Sequence, residues 1–129
     1  MAQTRLVIST DNAPAAVGPY SQGICAGNLV FTAGQIPLDP ATGKMVEGTI
    51  EVQTRRVLEN LKAVVEAGGS SLARVVKVTV FMVDLGDFAR MNAVYGEFFQ
   101  DEPPARSAFQ VGALPLGAAI EMEAVALLD

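Results

Sequence analysis

The amino-acid sequence predicts an α+β fold in which two helices lie on one face of a mainly antiparallel sheet. Two segments space their apolar residues as amphipathic helices do, and six shorter runs rich in strand-forming residues lie between turn-forming residues. The order β, β, β, α, β, α, β, β indicates antiparallel hairpins at each end of the chain. A length of 129 residues predicts one domain over residues 1–129.

The first part of the chain is predicted to contain three strands. Residues 5–9 form the first apolar run, and residues 23–26 and 29–33 form the next two. Gly27–Asn28 joins the second run to the third, and this pair predicts a two-residue hairpin turn because both residues tolerate positive φ.

The first helix is predicted to run from Thr49 to Gly68. Thr49 is a suitable N-cap because its hydroxyl can accept a hydrogen bond from a free backbone N–H, and glycine commonly ends helices. Helical spacing places five apolar residues on one face, namely Val57, Leu58, Leu61, Val64 and Val65.

The second helix is predicted to follow a central strand at residues 74–84, which is nearly continuously apolar. Asp87 is its expected N-cap, and its apolar face comprises Phe88, Met91, Tyr95, Phe98 and Phe99. Asn92 lies four residues after Phe88 and is predicted to share that inward side. A buried amide needs a hydrogen-bond partner, and a backbone partner is favoured here over a ligand.

Arg106 begins the strand predicted at residues 105–111, directly after Pro103–Pro104, which ends the preceding helix. A guanidinium keeps its charge on burial and offers a planar fork of donors that matches a carboxylate. Arg106 therefore has two open interpretations: it binds a small carboxylate ligand, or it is satisfied by a structural glutamate or by carbonyl groups.

The last strand is predicted at residues 119–127 and contains Glu121 and Glu123. Residues two apart on a strand point to the same side of the sheet, so the two carboxylates are expected to be neighbours. Carboxylates in so apolar a strand need donors, cations or water, and Arg106 is a candidate partner.

Two loop residues are candidates for ligand contact. Tyr20 lies between glycines in the segment 18–23, and its ring either packs in the core or an interface, or presents its hydroxyl to a ligand. Gly34 follows the third strand and marks either a bulge or a place where a ligand approaches the backbone.

Composition excludes several classes of function. Half of the residues are hydrophobic and 18% are charged, which predicts apolar surface buried between subunits, hence a homo-oligomer. A net charge of -5 without a basic cluster disfavours nucleic-acid binding. The absence of histidine excludes Ser-His-Asp and Cys-His mechanisms and histidine-ligated metals.

The single cysteine, Cys25, excludes an intramolecular disulfide and is predicted to be a small buried hydrophobe. Residues 1–8 carry no long apolar run, and no segment approaches 18 uninterrupted apolar residues, so we expect neither a signal peptide nor a membrane span. These features predict a cytoplasmic protein without a membrane partner.

Five segments, in this order along nearly the whole chain, resemble the RidA (YjgF) family of imine deaminases. They are GPYSQG at 18–23, TAGQIP at 32–37, the helix from Asn92 to Tyr95, PPARSAF at 103–109 and IEMEA at 120–124. The resemblance implies a chorismate-mutase-like α+β subunit and a homotrimer with clefts between adjacent subunits. It also implies hydrolysis, without metal or cofactor, of reactive 2-imino acids to 2-keto acids and ammonia. This activity would protect pyridoxal-phosphate enzymes from enamines such as 2-aminoacrylate, which are tautomers of those imines.

The resemblance also implies roles for individual residues. Arg106 would hold the substrate carboxylate, Glu121 would activate water and handle protons, and Tyr20 from a neighbouring subunit would close the cleft. Gly34 would line the cleft and Asn92 would support the site. Many family members carry Ser at the position of Ala33 and Cys at that of Ala108, so these substrate-lining positions depart from the common pattern and bear on substrate preference.

Two functions from different classes are consistent with these residues. The first is the enamine/imine deaminase. The second is a trimeric module that binds a 2-keto acid or another small carboxylate in the same cleft, as a sensor or chaperone-like regulator without turnover. Glu121 favours the enzyme, because a carboxylate sensor has little use for an acidic residue beside its bound anion.

Overall fold

The computed structural model describes residues 4–128 and confirms an α+β fold with two helices packed on a mostly antiparallel sheet. The elements are β1 (Arg5–Ile8), β2 (Gly23–Ala26), β3 (Leu29–Thr32), α1 (Ile50–Ala67), β4 (Val75–Met82), α2 (Phe88–Phe98), β5 (Ala105–Gln110) and β6 (Ile120–Leu127). Three single turns of 3-10 helix connect them, at Leu72–Arg74, Leu85–Asp87 and Pro115–Gly117. The predicted order of strands and helices is confirmed.

The six strands form one sheet in the order β1-β2-β3-β6-β4-β5. Every neighbouring pair is antiparallel except β4 and β5, which are parallel. Between these two strands, α2 returns the chain to the end of the sheet at which β4 began, so β5 runs in the same direction as β4. The predicted hairpin at the carboxyl end is therefore wrong. β6 does not pair with β5 but inserts between β3 and β4, where the backbone groups on both of its edges find partners.

The hydrophobic core lies between the helices and one face of the sheet. Val78, Val80 and Met82 of β4 are fully buried there, as are Ile120 and Met122 of β6. Burying one such side chain contributes about 1.5–3 kcal/mol to stability. The core-facing side chains thus fix which face of each strand meets the helices.

The opposite face of the sheet, called here the open face, is not covered by either helix. Its side chains alternate with the buried ones, and Lys77, Thr79 and Phe81 of β4 are half-buried on it. Phe31 and Phe109 also lie on this face and are 41% and 51% exposed. Apolar rings left exposed across a sheet are typical of a surface that another molecule covers.

The ends of α1 are as predicted. The Thr49 hydroxyl accepts a hydrogen bond from the backbone N–H of Val52 at 3.4 Å, and the helix ends at Gly68. Gly27 has φ 58° in the predicted β2–β3 turn, and Cys25 is buried as expected.

Asp87 precedes α2, but its side chain makes no capping hydrogen bond, so that detail of the prediction is wrong. The 3-10 turn before the helix holds Asp87 at φ -90° and ψ 7°, outside the extended conformation that an N-cap side chain requires. Asp84 caps this turn instead, accepting a hydrogen bond from the backbone N–H of Gly86 at 2.7 Å.

Neither α1 nor α2 has the length and hydropathy that crossing a lipid bilayer would require, and they are the only α-helices within residues 4–128.

Candidate functional site

A cavity of about 560 Å³ brings together four of the residues singled out in the sequence: Tyr20, Ala33, Gly34 and Glu121. It lies where the loops after β3 and before β6 meet the loop before β2. Glu121 is the one charged side chain among the described residues that line it. The rest of the lining is mostly apolar, as is common for small-molecule sites.

Gly34 allows the Glu121 carboxyl to lie directly against the backbone. The flanking residues form a two-way bridge, in which Gln35 N–H donates to the Met122 carbonyl at 2.8 Å and Met122 N–H donates to that of Gln35 at 3.1 Å. A Cβ on Gly34 would lie 2.7 Å from Cδ of Glu121 and overlap its Oε2. Gly34 is therefore required by a close approach, with the Glu121 side chain filling the space.

The environment of Glu121 favours its protonated form. Partial burial raises the pKa of the Glu121 carboxyl above its usual range, and the nearby negative charge of Glu123 raises it further. The expectation that these two side chains are neighbours on one face is consistent with the structure. A carboxyl with a raised pKa exchanges protons more readily near neutral pH, as a general acid or base must.

Gln22 secures one wall of the cavity and was not identified from the sequence. Its side chain is buried, and Nε2 donates to the carbonyl groups of Thr10, Ala13 and Pro14 at 3.0, 3.2 and 2.8 Å. Its Oε1 accepts from the Thr10 N–H at 2.7 Å. The only sequence signal is a polar residue directly before an apolar strand.

Asn60 secures a second wall, from the middle of α1. It is fully buried, and Nδ2 donates to the carbonyls of Ile36 and Leu38 at 3.1 and 2.9 Å. Both of those residues line the cavity. An amide on a helix face that otherwise carries apolar residues is the signal that could have indicated it.

Leu116 lies at the edge of the cavity in an unusual conformation. It has φ 57° and ψ 24°, in the left-handed region, and its side chain is 73% exposed. For a branched non-glycine residue this conformation costs about 1–3 kcal/mol, and such residues concentrate at functional sites. A Pro-Leu-Gly turn would place the positive φ at glycine, so the sequence gives no signal for it.

Arg106 lies outside this cavity, against α2. Its Nη1 donates to Oδ1 of Asn92 at 2.7 Å, and its Cζ lies 4.6 Å from the ring centroid of Tyr95 and 5.3 Å from that of Phe88. Such cation–π contacts hold a guanidinium in place without using its N–H groups. Within residues 4–128, Arg106 has no carboxylate partner in a salt bridge.

The prediction for Asn92 is wrong in two respects. Asn92 is exposed rather than buried, and its partner is the Arg106 side chain rather than the backbone. The buried stripe of α2 is centred on Met91, Val94 and Tyr95, which leaves Asn92 at its border, facing the edge strand.

Tyr95 supports this arrangement from below. It is 5% exposed, and its hydroxyl has no hydrogen-bond partner within the described residues. Burial raises the pKa of Tyr95 to about 12, although the positive charge of Arg106 acts in the opposite direction. The Tyr95 side chain is therefore uncharged where its ring packs against the Arg106 guanidinium.

Arg106 and Glu121 lie on opposite faces of the sheet. Arg106 pairs with buried Val78, so it points to the side that carries the helices, whereas Glu121 pairs with Phe81 on the open face. The suggested partnership of Arg106 with the glutamates of β6 is thus not found within one chain. Ala108 follows Arg106 by two residues, faces the same way and packs against the core.

No group of three or more His, Cys, Asp or Glu side chains that could hold a metal ion occurs within residues 4–128.

Comparison with known proteins identifies close relatives over almost the full length. A 2-iminobutanoate/2-iminopropanoate deaminase of Salmonella typhimurium is 50% identical over 123 residues, covering 93% of this chain and 95% of the relative. A RutC family protein of Pyrococcus horikoshii is 58% identical over 120 residues, covering 93% and 95%. The crystal structure of E. coli TdcF with bound serine matches with a TM-score of 0.91 and 46% identity, covering 95% of this chain and 98% of that one.

The family model described as endoribonuclease L-PSP matches residues 10–128. These residues include every segment that carries the resemblance noted above, and relatives named as deaminases match the same region. The chain therefore belongs to the endoribonuclease L-PSP family, in which the RidA (YjgF) proteins are found.

Proposed function

We propose that the protein is an imine deaminase that hydrolyses 2-imino acids to 2-keto acids and ammonia. The observation that carries the proposal is the position of the Glu121 carboxyl, which lies half-buried against Gly34 in a mostly apolar cavity. The pKa of this carboxyl is raised by burial and by the charge of Glu123. The similarity to the Salmonella 2-iminobutanoate/2-iminopropanoate deaminase supports the same chemistry.

The complete site is proposed to form between two copies of the chain. Arg106 and Glu121 lie on opposite faces of one sheet, so one substrate reaches both only if they come from different subunits. The open face carries exposed Phe31 and Phe109 and offers a surface for assembly. A closed ring of identical head-to-tail contacts fits this arrangement, and a homotrimer with three inter-subunit clefts is the proposed assembly.

The proposed reaction needs no group beyond the side chains and water. Arg106 of one subunit binds the substrate carboxylate through the N–H groups that Asn92 leaves free. The imine reacts with its nitrogen protonated. Ionised Glu121 of the next subunit takes a proton from a water molecule, whose oxygen attacks the electrophilic imine carbon. The π electrons of the C=N bond move to nitrogen, giving a carbinolamine.

Protonated Glu121 then returns the proton to the amine nitrogen. The C–N bond breaks, ammonia leaves, and the hydroxyl proton passes to the Glu121 carboxylate and from there to water, which gives the 2-keto acid. Tyr20 at the edge of the cavity closes the cleft over the substrate, and the Gly34 backbone lines it. Positioning of reactants and general acid–base help together account for catalysis on an already reactive imine.

Mixing two inactive variants tests the proposal. Arg106→Ala and Glu121→Gln should each lose activity, whereas a mixture refolded together should regain about one quarter of the wild-type activity, since a quarter of the clefts then combine an intact Arg106 with an intact Glu121. The measurement is keto-acid formation above the spontaneous rate, with 2-imino acids generated by an L-amino-acid oxidase.

The control is each variant refolded alone and then mixed without exchange of subunits. Wild-type acceleration without recovery in the refolded mixture would place both residues in one chain and refute the shared site. Absence of acceleration by the wild-type protein would refute the deaminase itself.

The pH dependence of the catalysed rate should follow the ionisation of Glu121 and should therefore change when its neighbour Glu123 is replaced. Glu123→Gln removes the negative charge that helps to raise the pKa of Glu121, so that pKa falls, while burial still holds it above the usual range. Because the ionised carboxylate is the base, activity rises with pH through this pKa, and the acid limb should move to lower pH in the variant. The measurement is the pH profile of the catalysed rate after subtraction of spontaneous hydrolysis; an unmoved acid limb would contradict the assignment.

A second candidate function, a small-carboxylate binding module, is favoured by the related E. coli protein with bound serine. The deaminase and the binding module predict different results for Glu121→Gln, because only the deaminase has turnover to lose. A binding module should retain 2-keto acid affinity and show no turnover with or without Glu121. The endoribonuclease name of the family fits this chain less well, since it has no histidine and a net charge of -5.

A further inference from the structure

Lys77 is a cation in a largely apolar part of the open face. It lies in β4, where its neighbours across the sheet are Val125 on β6 and Ala105 on β5. Its side chain is half-buried, and it forms no salt bridge with a carboxylate within residues 4–128. An ammonium group withdrawn from water without an anion is costly, so Lys77 lacks a charge partner that one described chain does not supply.

The Lys77 ammonium points toward the edge of the sheet. Its Nζ donates to Oγ of Ser107 at 2.9 Å. Ser107 lies on β5, the edge strand, whereas Glu123 lies on β6, on the other side of β4. The hydrogen bond therefore turns the charge away from Glu123 of the same chain. An ammonium group has three donors, so two remain for an acceptor beyond the edge.

Glu123 carries the complementary charge on the same face. It lies opposite Thr79 in the pairing of β6 with β4, and its side chain is exposed. It forms no salt bridge within residues 4–128 either. Lys77 and Glu123 thus have opposite charges on one surface, and they do not pair within the chain.

The proposed shared cleft brings these two charges to the same contact between subunits. In that cleft Arg106 of one subunit and Glu121 of the next bind one substrate, so β5 of one copy lies close to β6 of the other. Ser107 directly follows Arg106 in the sequence. Glu123 follows Glu121 by two residues, a distance of about 7 Å along a strand. A Lys77 side chain held by Ser107 is therefore carried toward Glu123 of the next subunit.

Covering the open face increases the need for such a pair. Phe31 and Phe109 leave apolar surface exposed on this face, and the rings of Phe81 and Phe109 stack with their centroids 6.4 Å apart. A second copy that covers these rings also withdraws Lys77 and Glu123 from water. A charge buried without its partner costs far more than a paired one, so the contact favours the orientation in which the two meet.

We propose that Lys77, held at the edge of β5 by Ser107, forms an ion pair with Glu123 of the next subunit and thereby selects the orientation that completes the active site. Lys77 is a positioning residue that acts through Glu123. The inference rests on the proposed function and its shared site, and its first test measures assembly rather than turnover.

Charge reversal tests the ion pair independently of activity. Lys77→Glu and Glu123→Lys each place like charges at every contact between subunits. Each should therefore raise the concentration at which the assembly dissociates by at least about 100-fold. The chain that carries both reversals has opposite charges again and should assemble like the wild type. The measurement is light scattering across a dilution series.

A mixture of the two single variants shows whether the pair forms within a chain or between chains. A ring of three that contains both variants has opposite charges at two of its three contacts, whereas a ring of one variant has them at none. The variants refolded together should therefore assemble at a lower concentration than either alone. Recovery in the doubly reversed chain but not in the mixture would place the pair within one chain and overturn the inference.

Matched controls make the same changes of charge away from the open face. Lys62→Glu and Glu66→Lys replace exposed residues of α1, which packs on the other face of the sheet, and should leave the assembly unchanged. Lys77→Met keeps the apolar stem without the charge, should weaken the assembly about tenfold, and serves where Lys77→Glu does not fold. Wild-type assembly of the Lys77 variants would overturn the inference.

The pH profile gives a readout that a purely structural contact would not change. The ionisable groups around the Glu121 carboxyl are Glu123 on its own strand, Tyr20 in the cavity, and Arg106 and Lys77 of the neighbouring subunit; the residue opposite it on β4 is uncharged. Without Lys77, the negative charge of Glu123 is uncompensated and raises the pKa of Glu121 further. The acid limb of Lys77→Met should therefore move to higher pH, opposite to that of Glu123→Gln. An unmoved limb at concentrations that keep the assembly intact would overturn the positioning role.

Failure of this inference is distinct from failure of the proposed function. An assembled wild-type protein that accelerates the hydrolysis of no imine would refute the deaminase, and the reversal and mixing experiments would still decide the ion pair. A wild-type chain that stays monomeric at every concentration would overturn both the ion pair and the shared site.

Discussion

Arg106→Ala is expected to lower kcat/KM for 2-imino acids by about 30- to 5,000-fold, the range found when one partner of a desolvated charge pair is removed. The guanidinium is held by Asn92 and by the rings of Tyr95 and Phe88, and no carboxylate within residues 4–128 pairs with it. The loss should therefore appear in substrate binding rather than in assembly.

Arg55→Ala is the matched control. Arg55 is another helix-contacting guanidinium, which lies 5.8 Å from the ring centroid of Phe98 and pairs with Glu97 on the exposed surface. It should retain near wild-type activity. Arg106→Lys keeps the charge without the planar fork and should recover only part of the activity. Full activity of Arg106→Ala, measured as keto-acid formation, would show that the substrate carboxylate binds elsewhere.

Glu121→Gln is expected to lower kcat by about 100- to 10,000-fold, the usual contribution of a general acid–base residue. The substitution keeps the shape that fits against Gly34 but removes the proton exchange. The measurement is the rate at saturating imine, together with the affinity for the 2-keto acid product. We expect product binding to change much less than kcat.

Glu123→Gln is the control for position and charge, since Glu123 lies two residues along the same strand on the same face. At a pH above the acid limb it should remain active. If Glu121→Gln retained wild-type kcat, water activation would have to be assigned to another group, and the binding module would become the preferred function.

Local structure was predictable because its causes are local. The apolar spacing of α1, the Thr49 cap and the Gly27–Asn28 turn each act within a few residues, and all three are found. The resemblance implied a Tyr20 from a neighbouring subunit, whereas within one chain Tyr20 and Glu121 line the same cavity although they are 101 positions apart in the sequence. No local pattern predicts a contact over that separation.

The relation of Arg106 to Glu121 could not be predicted, because it depends on strand order and register. Alternation within β5 and β6 is equally compatible with a hairpin, in which the two side chains could have met. Insertion of β6 between β3 and β4 is a long-range choice that no short pattern encodes. Asn92 was misplaced for a similar reason, since helical spacing gives the buried stripe but not what lies at its border.

The central position of β6 has a consequence for how the polypeptide emerges from the ribosome. β6 is the last strand to be synthesised, yet it pairs with β3 on one edge and β4 on the other. Until it is made, the other strands can pair only as two separate groups, β1-β2-β3 and β4-β5, and the edges of β3 and β4 lack the partner that β6 supplies. The strand that joins these two groups also carries Glu121, so its carboxyl lies against Gly34 only in chains whose sheet is complete.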